Sequence, residues 1–440
     1  MIKLLDKSEI SIFNYFYVFC MFVFAGSATV FARNLGDLRT VGNTFALAIT
    51  ICFFIMNRIR FSRPYFISIA VFLIYAIVTS INNRMINPFW ISQWIIWLTL
   101  AYGLCQGFRE ELPVVVETVL FHLSIIALVF WVLHVIYPDF IVNFVQSVAF
   151  SKPYEEECNV LANIIVYTIN DFDRIGDSDF ALLVRNAGFA WEPGAFASML
   201  CLGIFCNMLR TDFDMSDLSL WVMLLALLST ESTTGILVFL AMMIMWLILN
   251  RKYSYLFILI PVLFAIYNLP FAKEKLMTEI ENMQHWDIST ISGSAGRLLS
   301  LQLNFEEFLR HPIIGLGGYA EGTWLALNGY DIATISGIGH MLVYFGAVMT
   351  ILFLVLLIKS CKYFREISDS SNAWILIVVV IGMMVSYNLW KQPIYIAFWM
   401  FGVYAYDDAY DDEYDDECDD ECDDACENTI SNATYIRRFS

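Results

Sequence analysis

Strongly apolar, uncharged runs follow one another along the chain with only short polar intervals between them. Residues 11–31, 40–57, 64–83 and 85–108 come almost back to back, and 118–138, 193–209, 232–250, 253–272, 332–358 and 370–390 continue the series. A run of about 18 or more apolar residues crosses the hydrocarbon core of a bilayer as a helix, so each of these predicts a span. Two shorter runs, 218–230 and 392–406, predict either further spans or re-entrant or buried core segments. Charge bias argues for counting both. With twelve spans and a cytoplasmic N-terminus, the inner loops carry twelve Lys and Arg residues and the short outer loops only Arg33, Arg39, Arg84 and Lys391. Dropping one span would invert everything beyond it and spoil this positive-inside asymmetry.

Composition agrees: 59% of the 440 residues are hydrophobic and only 15% charged. The expected fold is an all-α polytopic integral membrane protein of about 12 transmembrane helices with two large extracytoplasmic loops, both termini lying in the cytoplasm. The first apolar run follows Lys3 and Lys7 as a signal peptide would, but it is too long for that and is expected to be a retained anchor. The ten cysteines are scattered, so no disulfide framework is implied. Residues 1–406 then form a single helical domain. Residues 407–440 form an acidic tail: of the formal net charge of -18, fourteen acidic residues and two arginines place -12 there. The stretch "YDDAYDDEYDDECDDECDDAC" repels itself and has little to bury, which predicts disorder. Its cysteines do not have a standard zinc spacing, and no metal or cofactor is expected.

Both long polar intervals, about 140–192 and 273–331, fall outside on this topology. The first ends in "RNAGFAWEPGAFA", where Arg185 and Glu192 lie seven residues apart, about two turns if the segment is helical. Pro193 suits the first turn of the span that follows and puts Glu192 at the positive end of the helix, as either a plain cap or a working carboxylate. The second loop holds "ISGSAGRLLSLQLNFEEFLRHPIIGLGGYAEG". Ser294 is the expected N-cap, and Leu298, Leu301, Phe305, Phe308 and Leu309 recur at helical spacing until Pro312, which predicts an amphipathic helix on the outer membrane surface. Gly293, Ser294 and Gly296 precede Arg297, a combination of backbone donors, helix dipole and guanidinium that suits a phosphate; the bland alternative is a capped helix whose arginine meets lipid headgroups. The glycines of "GLGGYAEG" predict a tight loop folded back into the bundle, not a nucleotide loop. Among ionisable residues near the spans, His122 and His134 read as helix–helix hydrogen-bonding groups, whereas Glu231 and His340 lie at the depth of an outer site.

Taken in order, "RNAGFAWEPGAFA", "STESTTG", "GSAGR", an amphipathic helix and "HPIIGLG" resemble the O-antigen polymerase and ligase superfamily, the Wzy-type membrane polymerases, over about residues 185–357. The His-Pro-x-x-Gly-x-Gly element is the most specific piece. What the resemblance implies is a glycosyltransferase that moves a glycan from undecaprenyl pyrophosphate onto a sugar hydroxyl at the outer face of the bacterial plasma membrane. The lipid-linked oligosaccharide and membrane lipids are the implied partners, with a chain-length regulator and a flippase beside them and no nucleic acid. By motif position Arg185 and Arg297 are the implied pyrophosphate-binding arginines. Ligase relatives also use a histidine near the end of the second loop. His311 and His340 are the candidates here, and neither sits in a ligase-like context, which favours a polymerase.

The chemistry fits those residues. Pyrophosphate is already a good leaving group, so the protein has only to hold and neutralise it, a task for Arg185, Arg297 and the backbone donors at Gly293, Ser294 and Gly296, with Glu231 at the rim. The acceptor hydroxyl needs a base: Glu192 first, then His340 or His311. The rivals are an O-antigen ligase and a polysaccharide flippase or transporter. The latter predicts internal repeats and broken helices near the midplane, which the chain does not display.

Overall fold

The structure is a computed structural model. It describes residues 11–26, 36–149, 160–170, 184–255, 293–330 and 332–405, with a few single positions besides. The run 253–272, apart from its first residues, and the acidic tail lie outside the described residues.

Helices dominate: α1 Ile12–Phe24, α2 Gly36–Asn57, α3 Arg63–Asn83, α4 Pro88–Phe108, α5 Leu112–Ile136, α6 Pro138–Val148, α7 Pro193–Thr211, α8 Leu218–Ser229, α9 Thr233–Leu249, α10 Arg297–Arg310, α11 Gly337–Ser368, α12 Ile375–Met384 and α13 Pro393–Tyr404. Among the described residues, four helical runs are long and apolar enough to cross a membrane: α3, the continuous pair α4–α5, α7 and α11. Several shorter apolar helices pack among them. On α3, Ile74, Ile77 and Ile81 are all more than half exposed on one flank, a surface that lipid would cover and water would not tolerate. The molecule is thus a helical membrane protein.

Local sequence sets most starts. Proline occupies the first turn of α3, α4, α5, α7 and α13, where its missing N–H costs nothing. Asn87 Oδ1 accepts from the Trp90 amide at 3.0 Å, and Ser232 and Ser336 cap α9 and α11 in the same way. Several runs differ from their expected extent. Helix α1 stops at Phe24, seven residues short, and α5 starts six residues early because Glu117 is not a boundary residue but a fully buried one. The run 370–390 is cut hardest, with α12 ending at Met384, turns at 385–387 and a short 3-10 helix at Leu389–Lys391. Helix α11 breaks at Gly346, whose φ of +64° no ordinary helical residue adopts.

Two segments between the helices are more structured than polar intervals suggest. Helix α6 and a bulged antiparallel hairpin, β1 Val160–Ile164 with β2 Tyr167–Asn170, enclose a small core of Ile141, Val145, Ala162, Tyr167 and Ile169. Strand β3, Gly293–Ser294, pairs in parallel with β4, Ile332–Ala333. Helix α10 is amphipathic in an unexpected sense. It turns Leu299, Ser300, Leu303, Asn304 and Glu307 toward the protein, and leaves Phe305 and Leu309 exposed on the opposite side. Gly339 makes that packing possible, because a Cβ there would stand 2.6 Å from the Asn304 side chain.

The segment after α10 wedges into the break in α11. Gly315 and Gly317 both take positive φ, and Leu316 and Gly317 amides donate to Val343 and Tyr344 carbonyls at 2.9 and 2.7 Å. Tyr75, Asn83 and Asn87 then tie the same loop to α3 and α4 through the carbonyls of Ile314, Leu316 and Gly318. The glycine run therefore does fold back into the bundle.

Candidate functional site

Helix α7 runs through the centre of the bundle, with nearly every residue buried. Its N-terminus opens onto a cluster of polar groups drawn from four separate segments.

The first is the chain before the helix. Residues 184–192 are not helical, so Arg185 and Glu192 do not share a helix face as the spacing suggested; a turn at Gly188 (φ +51°) separates them. The segment is pinned from both sides: the Asn186 amide donates to Ser229 O at 2.9 Å, and the Thr168 amide on β2 donates to Gly188 O at 2.7 Å. Asn186 Nδ2 also donates to Ser229 Oγ, and its Oδ1 accepts from the Gly188 amide, closing the turn. Arg185 is thereby aimed at the α8–α9 connection, where Nε donates to Thr230 O at 3.2 Å and Nη2 reaches Glu231 O at 3.5 Å. Glu231 contributes through this carbonyl, held by a left-handed backbone (φ +49°) at the end of α8. Glu192 is the N-cap of α7 but makes no side-chain cap bond, which leaves its carboxylate for other partners at the positive end of the dipole.

The second contribution was missed in the sequence. Tyr387 lies just past α12, inside a run that read as a continuous span. The charges of Glu192, Arg297 and Arg185 all act on its hydroxyl. Tyr387 therefore marks where Arg185, Glu192 and Arg297 converge. Two glycines make room for it. A Cβ on Gly194 would fall on the Tyr387 hydroxyl, and one on Gly337 would fall on its carbonyl. The signal that would have found it is this pair of glycines, one just inside α7 and one opening α11, each marking a close approach by another segment.

Arg297 begins α10. The expected N-cap, Ser294, is instead in β3; the cap is Gly296, with no side-chain bond. The reason is that Gly293 and Ser294 are engaged as a strand with β4, and the Ala295 amide continues that pairing to Ala333 O at 3.0 Å. Gly293 and Ser294 thus fix where the helix begins, and Gly296 opens it. Arg297 Nε is buried and has no hydrogen-bond partner among the described residues.

His340 stands in the first turn of α11, beside the cluster. Nδ1 lies 3.0 Å from Asn388 Oδ1 and Nε2 lies 2.6 Å from Thr334 Oγ1, so both ring nitrogens are engaged. Thr334 in turn meets the Asn304 amide on α10 at 3.1 Å. With that amide turned so that its NH2 faces Thr334, one chain of donors runs from Asn304 through Thr334 and His340 to Asn388, and the otherwise unpartnered Asn304 Nδ2 is satisfied. His340 therefore links α10, α11 and the Tyr387 turn. His311 is placed elsewhere. It caps the far end of α10, a helix of 14 residues spanning roughly 21 Å, and its Nε2 lies 4.0 Å from Glu307 Oε1. It does not belong to the cluster.

The arrangement presents two guanidinium groups, a carboxylate, a phenol and helix N-termini at one end of the bundle, a setting that holds an anion and leaves a carboxylate beside it. His122 and His134, read as helix–helix hydrogen-bonding groups, bond otherwise: His122 Nδ1 lies 2.7 Å from Thr118 O in its own helix, and His134 Nδ1 lies 3.3 Å from the Tyr167 hydroxyl on β2. Comparison with models of known protein families and with curated proteins finds no match for this chain.

Proposed function

We propose that the protein is a polysaccharide polymerase of the bacterial plasma membrane. It transfers an undecaprenyl-pyrophosphate-linked glycan onto a sugar hydroxyl at the outer face, for O-antigen, capsule or exopolysaccharide. What carries this proposal is the convergence of Arg185, Arg297 and Glu192 on Tyr387 at one end of the bundle. The donor's pyrophosphate takes the two arginines, with Tyr387 as a neutral hydrogen-bonding partner between them. The bond between the sugar's anomeric carbon and the pyrophosphate oxygen breaks, and the electron pair leaves with the pyrophosphate. The acceptor oxygen bonds to the same carbon, and its proton goes to the Glu192 carboxylate. His340, with both nitrogens engaged, is assigned a positioning role, and charge neutralisation belongs to the arginines.

The proposed topology is twelve passes with both termini cytoplasmic, the short helices α8, α12 and α13 completing their passes with adjoining turns. A ligase that hands finished polymer to a lipid acceptor is the second reading; it is favoured by His340 lying next to the cluster through Asn388.

The test is to delete the gene in its host, separate the surface glycan on a gel, and rescue with wild type, Arg185→Ala or Arg297→Ala. A polymerase predicts collapse of the ladder to one repeat unit, unrestored by either variant at normal membrane levels. Long polymer left on the lipid carrier would make the protein a ligase, and absence of any glycan outside would make it a flippase.

A further inference from the structure

Away from that site, α3 and α11 stand apart over a floor made by α4 and α13, leaving an apolar groove of about 340 Å³. Its walls are single faces of two helices: Pro64, Ile67 and Val71 from α3, and Phe345, Met349 and Leu356 from α11. The floor includes Trp94 and Trp399. Almost nothing polar lines it until Lys359, on α11 at the end of the bundle that carries Arg58, Arg60 and Arg63. The two ends differ. At the end remote from Lys359, Tyr75 on α3 hydrogen-bonds the carbonyls of Ile314 and Tyr344, and Asn83 bonds Leu316 O, so the glycine loop ties α3 to α11 above the groove. At the other end nothing comparable joins the two helices among the described residues, and Lys359 is exposed. Ile67 and Val71, 61% and 40% exposed, leave the flank open to the bilayer.

We infer that this groove binds one hydrocarbon chain of an anionic phospholipid of the cytoplasmic leaflet, with its phosphate against Lys359. Charge complementarity selects the occupant. Basic loops mark the cytoplasmic end of a membrane protein, and the leaflet on that side is the anionic one. Arg63, which opens α3 immediately before Pro64, adds a second cation to that end of the groove wall, and Lys362 and Arg365 follow Lys359 on α11 ahead of Glu366. The closed outer end argues against the donor lipid, whose pyrophosphate would have to reach the Arg185 and Arg297 cluster on the outer side of the Tyr75 tie. The bound chain fills the gap between α3 and α11 and so braces the helix whose first turn holds His340. This inference does not depend on the glycan-transfer proposal.

The experiment places the full chain in nanodiscs of equal phosphatidylglycerol and phosphatidylethanolamine, transfers it to detergent, and weighs the protein with its retained lipid by native mass spectrometry. Wild type is expected to retain one phospholipid, phosphatidylglycerol over phosphatidylethanolamine by about fivefold, the discrimination expected of a single basic residue near a membrane surface. Lys359→Gln should bring that ratio close to one while keeping the adduct. Val71→Trp and, separately, Ile67→Trp fill the groove from exposed positions and should remove the adduct. Retention of the same lipid in the same ratio by all three variants would overturn the inference. So would a retained mass matching a polyprenyl phosphate in protein taken straight from cells, which would give the groove to the donor lipid instead.

Discussion

Each end of α7 holds a cluster of charged groups, and the two are built to opposite specifications. The helix has 19 residues and spans about 28 Å, close to the thickness of a bilayer's hydrocarbon core. At its C-terminal end, Arg210 is paired with two carboxylates. Nε donates to Glu117 Oε2 at 2.6 Å, Nη2 donates to Glu117 Oε1 at 2.7 Å, and the same Nη2 also bonds Asp217. Asn207 and Ser219 supply further donors to Glu117, which is completely buried. At the N-terminal end, Arg185 donates to two backbone carbonyls, and Arg297 lies near Tyr387 with its Nε unpartnered among the described residues. One end ties α5, α7 and α8 together by satisfying every charge. The other gathers cations around a phenol and one carboxylate, which is how a site for an incoming anion differs from a structural clamp.

Breaking the clamp should have the largest effect. Arg210→Ala strands a buried carboxylate, at a cost of about 3–5 kcal/mol, and should strip the protein from the membrane fraction on an immunoblot. Pairing it with Glu117→Leu removes the stranded charge and should recover much of the lost protein. If the double variant is no more abundant than the single one, the buried-charge explanation is wrong. The N-terminal end should behave in reverse. Arg297→Ala should leave the amount of protein nearly unchanged yet cut glycan transfer by about 10²- to 10³-fold, the range seen when one preorganised donor is removed from a charged transition state. Arg297→Lys should recover little, because an ammonium lacks the planar fork. A large loss of protein with Arg297→Ala would make the N-terminal cluster a second clamp and erase the distinction.

Gly194 sharpens the comparison at intermediate scale. It lies in the first turn of α7 against Tyr387, so Gly194→Ala should displace the phenol at a cost of about 1–3 kcal/mol, as overpacking elsewhere does. Transfer should fall while the protein remains in the membrane. An equivalent activity loss in Tyr387→Phe, which has no clash, would show that the hydroxyl and not the displacement matters.

These positions also show what a sequence displays and what it hides. Pro193 and Glu192 announce the start of α7 because capping is local chemistry, and Arg185 and Arg297 stand out because a guanidinium beside glycines at a span's edge has few bland explanations. Tyr387 did not stand out. A tyrosine in an apolar run is unremarkable until α12 is known to stop at Met384, and only packing against Gly194 and Gly337 fixes that stop. Glu117 misled the placement of α5 for a related reason: its partner Arg210 is 93 residues away, and no periodicity links them. The break at Gly346 is set by a loop that joins α11 from outside, so the run itself reads as one straight span. His311 drew notice through the motif it belongs to, yet a helix of 14 residues carries it away from the cluster.

The smallest predicted effect is a pH response confined to the clamp. Burial alone would raise the carboxyl pKa of Asp217, but hydrogen bonds from Arg210 and Ser219, with the charge of Arg210, more than offset it and hold the carboxyl below the usual aspartate range. A group with a depressed folded pKa adds stability that is fully present above its unfolded value, near 3.9, and is lost as pH falls through the folded value. The detergent-solubilised protein should therefore keep its melting temperature from pH 7 to about pH 5 and lose it progressively below about pH 4. Asp217→Asn should lower the plateau slightly and flatten that acid limb, because the group that titrates is gone. An acid limb left unchanged by Asp217→Asn would mean that Arg210 and Ser219 do not hold this carboxyl down, and that the clamp rests on Glu117 alone.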